Sequence, residues 1–352
     1  MTIQEFKQTF VPYLNRAIEE KFSAYPTYTD DHGILNMIDY AKEIIGGGKC
    51  IRPYMAYVMY ESLGGQEKES VIDALVSLEV FHSFALVHDD IIDKGATRHG
   101  KKTVHTYIAD TLKSEKRWSQ DYGHVGNGQA ILAGDLLFAW SLERFVGFGH
   151  LQYHPDAWRY FMKMIDEVVV GQMIDVDIMT RDRVDTSLIE TKMLLKTAGY
   201  TFVRPMQIGV ALAGKSAKME DFCVQFGHAL GLAFQTQDDI LDLIADPGKI
   251  QKSVLSDIRE HQHTYLTQYV FENGTKEDIR DLSAVWGSEI RPTDQQAIVG
   301  LFERTGALDF AKTKVQEYLQ QARELVESNT ELDQRGKESL VFLVDYIGNR
   351  SA

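Results

Sequence analysis

Apolar residues along the chain recur mostly at three- and four-residue spacing, and the strict alternation typical of a half-buried strand is scarce. This pattern predicts an all-α protein. Pro53 and Pro155 each fall where the first turn of a predicted helix accepts proline. The predicted helices are roughly 3–23, 33–45, 53–63, 69–93, 104–116, 127–148, 155–180, 186–213, 217–244, 258–272, 276–286, 293–304 and 307–348, the last with at least one break.

The chain has 352 residues, which exceeds the usual limit of one hydrophobic core and makes two domains the default expectation. The polar motifs argue against this default, because groups that would act together lie near residues 50, 90, 200 and 240. We therefore predict a single large domain over 1–352, built from about a dozen helices around one cavity.

Composition narrows the classes of partner. A formal net charge of -14 disfavours nucleic acid and anionic membrane surfaces. No apolar run reaches the roughly 20 residues of a membrane span, and the first residues lack the apolar centre of a signal peptide. Cys50 and Cys223 form no CxxC and have no companion histidine spacing, which indicates neither a disulfide framework nor a zinc site. A reducing cytoplasm is the expected location.

Two acidic clusters carry the strongest chemical signal. Asp89, Asp90 and Asp93 close an apolar helical run, with Asp89 and Asp93 one turn apart. Carboxylates this close raise one another's pKa values unless a cation lies between them. Mg²⁺ is bound in this way, by a few carboxylates together with phosphate oxygens of a substrate.

The second cluster repeats the arrangement in a later helix. Gln235, Asp238, Asp239 and Asp242 follow the i, i+3, i+4, i+7 pattern, which places all four on one helical face. The neighbouring residues are apolar, so this helix is not simply a solvated acidic face. Two such clusters make chance an unlikely origin.

Several cations accompany the clusters, and each also has an ordinary structural interpretation. A glycine run leads Lys49 and Arg52 into a helix start, where amides and cations favour an anion, although flexible connections often look the same. His82 lies two turns before Asp89, but a lone histidine in an apolar helix is usually a core residue. Arg98 is suited to clamp a phosphate or to be solvated. Lys196 lies in an apolar helix, where a buried ammonium needs a counter-anion, unless the side chain extends to the surface.

Together these residues resemble the trans-isoprenyl diphosphate synthases, the polyprenyl synthetase family, from about Gly46 to Thr264. The order and spacing of the motifs make the resemblance specific. In chain order the matching motifs are Gly47–Pro53 (GGKCIRP), Asp89–Asp93 (DDIID) followed by Arg98, His99 and Gly100, Gly171–Asp175 (GQMID), Lys196 with Thr197, and Phe234–Asp242 (FQTQDDILD).

The resemblance implies an isoprenoid synthase fold, long helices around a deep apolar cavity with both acidic clusters at its mouth. It implies a prenyltransferase that condenses isopentenyl diphosphate with an allylic diphosphate (dimethylallyl, geranyl or farnesyl), and a homodimer. It also implies roughly three Mg²⁺ ions per active site. The implied metal ligands are Asp89, Asp90, Asp93, Asp238, Asp239 and Asp242, with Asp89, Asp93 and Asp238 bridging the ions.

The remaining implied roles concern the two substrates. Isopentenyl diphosphate is expected at Lys49, Arg52 and His82, with Arg98 and His99 close by. The allylic diphosphate is expected at Arg98, Lys196 and Lys252, and the oxygens of Thr197 and Gln235 are expected to stabilise the allylic cation. The implied catalytic residues are Lys196, Thr197, Gln235 and Arg98, and the substrate-binding set adds Gln172 and Phe234.

Two departures from the family pattern stand out. His99 replaces the second of two arginines, which predicts weaker or pH-sensitive binding of isopentenyl diphosphate. After the second cluster, His261 and Gln262 stand where the family has glycine and a second lysine, which predicts a weaker hold on diphosphate. Every metal-binding carboxylate is present, and an active enzyme is expected.

Chain length in this family depends on what blocks the cavity below the first cluster. Phe84 and Ala85 lie five and four residues before Asp89, and Phe81 lies one turn deeper. Within the resemblance this pattern favours C20 geranylgeranyl diphosphate, with C15 farnesyl diphosphate as the alternative. A class I terpene cyclase and a non-catalytic prenyl synthase subunit are the other classes considered. The cyclase usually lacks a second DDxxD and the Lys49 and Arg52 anchor, and the subunit usually lacks aspartates.

Overall fold

The computed structural model describes residues 1–66, 68–98, 100–147, 154–245, 255–291 and 294–349, without the side chains of 68–70 and 73. The first half of the chain contains a 3₁₀ turn (Tyr25–Thr27), helices α1 (Ile3–Phe22), α2 (His32–Lys42), α3 (Ile51–Ser62), α4 (Lys68–Ile92), α5 (Val104–Ser114), α6 (Tyr122–Gly147) and α7 (Pro155–Ile178), and the antiparallel pair β1 (Thr97–Arg98) and β2 (Lys101–Lys102).

Helices also make up the second half. They are α8 (Thr186–Lys192), a π-helix π1 (Met193–Val203), α9 (Arg204–Leu212), α10 (Ser216–Ile244), α11 (Ser256–Arg259), α12 (Tyr265–Asn273), α13 (Lys276–Val285), α14 (Gln295–Arg304), α15 (Ala307–Ser328) and α16 (Gln334–Gly348). The predicted all-α class is confirmed. No helix within the described ranges has both the length and the apolar content that crossing a bilayer requires.

Two predicted helices are divided in the structure. The span 186–213 is α8, π1 and α9 in succession, a division that apolar periodicity alone does not reveal. The span 258–272 is broken because His261 has a φ of 61°, in the left-handed region that a helix cannot contain. Thr264 then starts α12 afresh, with its hydroxyl accepting a hydrogen bond from the amide of Thr267 at 3.3 Å.

The chain forms two compact units, residues 1–57 with 65–158 and residues 58–64 with 159–352. The prediction of one domain stays a prediction. In the first unit, α1 packs on the start of α3 through aromatic rings, with Phe6 5.7 Å from Tyr54 and 5.4 Å from Tyr57 between centroids. Helix α4 packs against α6 in the same unit. Burying these large side chains provides the main favourable free energy of folding in this unit.

In the second unit, the 29-residue helix α10 packs against π1, α9 and α15. Its interior-facing residues are apolar except near the second acidic cluster. A further core lies beside this helix and includes Ile178, Ile189, Met193 and Leu232. The acidic cluster of α10 is therefore set on a well-packed helix, which fixes the direction of its side chains.

Candidate active site

The glycine run of the first unit leads directly into α3. Gly46 and Cys50 have positive φ angles of 73° and 54°, so the backbone turns sharply just before Ile51. Lys49 is exposed and Arg52 is half-buried at this helix start. Burial raises the pKa of the Glu79 carboxyl on α4, and the charge of Arg52 opposes that rise. The structure therefore brings Arg52 close to the α4 face that also carries His82.

Arg98 organises the first acidic cluster. Its Nε and Nη2 atoms lie 2.8 and 2.7 Å from Oδ1 of Asp90, and its Nη2 atom lies 3.8 Å from Asp89. Asp90 is buried, whereas Asp89 and Asp93 are half-buried. Burial works against the charge of Arg98, but the hydrogen bond to Asp90 and the charges of Asp90, Asp89 and Asp93 together outweigh it and raise the pKa of the guanidinium. Asp90 thus fixes Arg98 beside Asp89.

An aromatic cluster lies on the same helix, before the first acidic cluster. Phe84 is 5.3 Å from Phe81 and 5.0 Å from Phe138 of α6 between ring centroids, and His88 meets the edge of Phe84 at 4.8 Å. Ala85 next to Phe84 is half-buried. The wall formed by Phe81, Phe84 and Phe138 therefore has a member that motif reasoning did not identify.

The second acidic cluster is linked to π1 by a chain of hydrogen bonds. The hydroxyl of Thr197 donates to Oε1 of Gln235 at 2.8 Å, and Nε2 of Gln235 donates to Asp239 at 2.8 Å. Burial raises the pKa of Asp239 to about 7; Lys192 and Gln235 oppose the rise, whereas Asp238 and Asp242 add to it. Asp238 is half-buried on the same helical face.

Asp242 caps the short helix α11. Its carboxylate accepts from the amide and hydroxyl of Ser256 at 3.1 and 2.5 Å and from the amide of Asp257 at 3.0 Å. Burial raises the pKa of Asp257, and Asp242 and Asp239 raise it further. The last aspartate of the cluster thus has a structural role that its spacing did not indicate.

Asp175 is the counter-anion that Lys196 requires. Nζ of Lys196 lies 2.6 Å from Oδ2 of Asp175, and Nζ of Lys192 lies 3.1 Å from Oδ1. Burial opposes ionisation of Asp175, but the two ammonium groups outweigh it and hold its pKa below the usual range. Gln172, one turn earlier on α7, is half-buried.

Glycines let π1 approach its neighbours closely. A Cβ atom on Gly171 of α7 would lie 2.5 Å from the amide nitrogen of Lys196. On α10, a Cβ on Gly231 would lie 2.3 Å from the Cβ of Ala198, and one on Gly227 would lie 2.6 Å from Val203. A π-helix is rare and often marks a functional site. Here it places Lys196 beside α7 and Thr197 beside α10.

Comparison with known proteins now identifies the family. The polyprenyl synthetase model matches residues 34–302. The chain belongs to the polyprenyl synthetase family. A geranylfarnesyl diphosphate synthase of Aeropyrum pernix is 31% identical over 87% of this chain and 92% of its own length. A geranylgeranyl pyrophosphate synthase of Geoglobus acetivorans is 32% identical over 86% of this chain and 87% of its own length.

A solved structure is also similar to this polyprenyl synthetase. It is a geranylgeranyl pyrophosphate synthase of Corynebacterium glutamicum, complexed with isoprenyl diphosphate and magnesium. The two chains share 27% identity and superpose with a TM-score of 0.89, over 97% of this chain and 99% of the other. The fold and the enzyme class are thereby confirmed: this polyprenyl synthetase is a short-chain trans-prenyltransferase.

Each acidic cluster of this polyprenyl synthetase has a composition that suits magnesium. Both clusters supply carboxylate oxygens, the hard ligands that Mg²⁺ prefers, and Asp89, Asp93 and Asp238 are half-buried. Within the described part of the chain, no three His, Cys, Asp or Glu side chains form a ready metal cage. An ion that completes its shell with water and substrate phosphate oxygens does not need such a cage.

The other predicted residues occupy varied surroundings. Phe234 meets Phe202 edge-on at 5.8 Å. His99 and Lys252 lie outside the described residues, and their roles stay predictions. Gln262, one of the two departures, is buried within 3.4 Å of Lys192. Lys192 itself carries no motif, and its only sequence signal is a charge one turn before Lys196 in an apolar stretch.

Proposed function

We propose that this polyprenyl synthetase condenses isopentenyl diphosphate with an allylic diphosphate in the presence of Mg²⁺. The observation that supports this most directly is the continuous network from Asp175 through π1 to the second acidic cluster. It combines a lysine suited to a leaving diphosphate, two polar oxygens and carboxylates suited to a hard cation. The comparisons support the same reaction class.

The proposed residue roles follow from these contacts. Mg²⁺, when bound, neutralises the leaving diphosphate and so favours ionisation of the allylic carbon–oxygen bond. Asp89, Asp93 and Asp238 would hold the metal ions, while Asp90 positions Arg98. Lys196 binds the leaving diphosphate, a role in which its charge is most valuable as negative charge develops.

The polar oxygens of π1 and α10 act on the allylic cation. The hydrogen bond from the Thr197 hydroxyl fixes the orientation of the Gln235 side-chain amide. The carbonyl oxygen of this amide and the Thr197 hydroxyl oxygen stabilise the positive charge of the allylic cation. Isopentenyl diphosphate, bound by Lys49, Arg52 and His82, attacks the cation through its double bond. The proton lost from the adduct passes to the departed diphosphate.

We further propose geranylgeranyl diphosphate as the product. The wall formed by Phe81, Phe84 and Phe138 supports a short chain, since three rings in mutual contact leave little room for a longer one. Relatives named for C20 and C25 products are both found. Farnesyl diphosphate is the alternative that the same wall allows.

A homodimer and a cytoplasmic location complete the proposal. Helices α6 and α7 each expose large apolar side chains, which supports association with a second copy. They are Ile131, Leu132, Leu136 and Val146 on α6 and Val169, Val170, Met173 and Val176 on α7. Both cysteines are buried free thiols, as a reducing compartment favours. The proposed dimer can be tested by light scattering. The wild-type protein should have twice the mass of one chain, and Leu132→Lys should bring the measured mass closer to that of a single chain. A monomeric wild type would refute the dimer.

Product formation tests the proposed reaction. Purified protein is incubated with Mg²⁺, labelled isopentenyl diphosphate and each allylic starter in turn, and the products are separated by chromatography. We expect incorporation of label into a prenyl diphosphate, its loss on chelation, and severe loss in Asp238→Asn but not in the exposed control Asp309→Asn. Release of a hydrocarbon without incorporation would indicate a terpene cyclase, and absence of any product would indicate a non-catalytic subunit.

A further inference from the structure

Lys192 is a buried ammonium with three acceptors in the second unit. Its Nζ lies 3.1 Å from Oδ1 of Asp175, 3.0 Å from the carbonyl oxygen of His263 and 3.4 Å from Oε1 of Gln262. An ammonium has three N–H donors, and these three acceptors use all of them. Lys192 therefore holds protein groups and has no donor left for a substrate.

Asp175 is shared by two lysines that differ in exposure. Lys192 lies on Oδ1 with a side chain 11% exposed, and Lys196 lies on Oδ2 with a side chain 27% exposed. The trio carries a net charge of about +1, because one carboxylate faces two ammonium groups. Of the two lysines, only Lys196 is exposed enough for its ammonium to turn from Asp175 to a phosphate oxygen.

We propose that Lys192 is a positioning residue for prenyl transfer, which keeps Lys196 available to the allylic diphosphate by satisfying Asp175 from the other side. This inference rests on the proposed function. Without Lys192, the buried carboxylate of Asp175 relies on Lys196 for its neutralisation, because an unpaired buried charge is costly. Lys196 would then be held on Asp175 and withdrawn from the leaving group.

Because Lys192 contacts Gln262, the ammonium group could be supplied by a lysine at either position. The end of the Gln262 side chain already lies within 3.4 Å of Nζ of Lys192, and both side chains are buried. A lysine at position 262, just after α11, could therefore place its ammonium where the Lys192 ammonium lies. If Lys192 acts through its ammonium, the charge can be supplied from either position.

Steady-state kinetics on three variants tests the inference. Lys192→Met should lower kcat/KM for the allylic diphosphate by about tenfold or more. The KM for isopentenyl diphosphate should change by less than about twofold, because its proposed ligands are elsewhere. The double variant K192M/Q262K should recover most of the lost activity. Lys218→Met, at an exposed lysine, is the matched control and should behave as wild type.

A purely structural role predicts a different pattern. Lys192→Met would then lower the thermal midpoint and kcat/KM for both substrates together. Adding Q262K to it would not restore these values. Unchanged activity in Lys192→Met, or no recovery in the folded double variant, would overturn the inference. If Lys192→Met does not fold, recovery in the double variant decides the question.

Calorimetry separates this inference from the proposed function. Inorganic pyrophosphate with Mg²⁺ should bind about tenfold more weakly to Lys192→Met than to wild type. That result would support the role of Lys192 even if the wild type formed no prenyl product, in which case the proposed function alone would fail. Equal pyrophosphate affinity would count against Lys192 whatever the turnover.

Discussion

Gly231→Ala should weaken both the fold and the chemistry, because this glycine sets the distance between α10 and π1. The added Cβ would lie 2.3 Å from the Cβ and 2.4 Å from the Cα of Ala198. Neither atom is the end of a flexible side chain, so neither can rotate away. Helix and π-helix must separate locally by about 1 Å to restore ordinary van der Waals distance.

The energetic consequences can be worked out from two opposing effects. Overpacking of a well-packed interior costs typically about 1–3 kcal/mol. Alanine gains about 1 kcal/mol over glycine in a helix interior, so the net loss of unfolding free energy is about 0–2 kcal/mol. Thr197 is adjacent to Ala198 and its hydroxyl lies 2.8 Å from Gln235, one turn after Gly231. A separation of about 1 Å breaks this hydrogen bond, for which we expect about a tenfold loss in kcat/KM.

Urea unfolding and steady-state kinetics check both parts. Gly300→Ala is the matched control, since a Cβ at this position of α14 would meet nothing within 4 Å. It should raise the unfolding free energy by up to about 1 kcal/mol and leave turnover unchanged. The reasoning fails if Gly231→Ala is as stable as Gly300→Ala, or if it loses stability while kcat/KM is retained.

Three other predictions concern product length, a buried ion pair and pH. Phe84→Ala should lengthen the product, because it opens the aromatic wall at its centre; unaltered chain length on thin-layer analysis would contradict that role. Glu167→Ala should cost about 3 kcal/mol in urea unfolding, because it leaves the buried guanidinium of Arg204 without the carboxylate that holds its Nε and Nη2. The exposed Glu317→Ala should stay within about 0.5 kcal/mol, and equal effects would refute the distinction. Burial lowers the pKa of His263, so the unfolded chain takes up a proton at a higher pH than the native chain does. The unfolding free energy should therefore fall as the pH drops below about 6.5. The fall should be smaller in His263→Gln. Identical pH profiles would exclude His263 as a source of the fall.

Helical periodicity was sufficient to predict where most helices lie, because their apolar faces repeat regularly. It missed the boundaries of π1, since a π-helix differs from an α-helix in hydrogen-bond register and not in composition. It also missed the break at His261, because a left-handed residue that is not glycine carries little signal in the sequence.

Motif reasoning identified side chains by type and spacing but not by partner. It placed Asp238, Asp239 and Asp242 on one helical face and counted all three among the implied metal ligands. The structure gives Asp242 a capping role and buries Asp239. Lys192 escaped notice because its importance depends on Asp175 and Gln262, which are distant in sequence. Pairings of this kind arise from helix packing, which a linear pattern does not specify.

The close packing of glycines against π1 has a consequence for how this protein can evolve. Gly171 faces one side of the π-helix, while Gly227 and Gly231 face it from α10. A substitution at Gly227 or Gly231 that pushes π1 away from α10 leaves more room for a side chain at the other of these two positions. It leaves less room at Gly171. The three positions are thus epistatic: the order in which mutations arrive decides which of them survive selection.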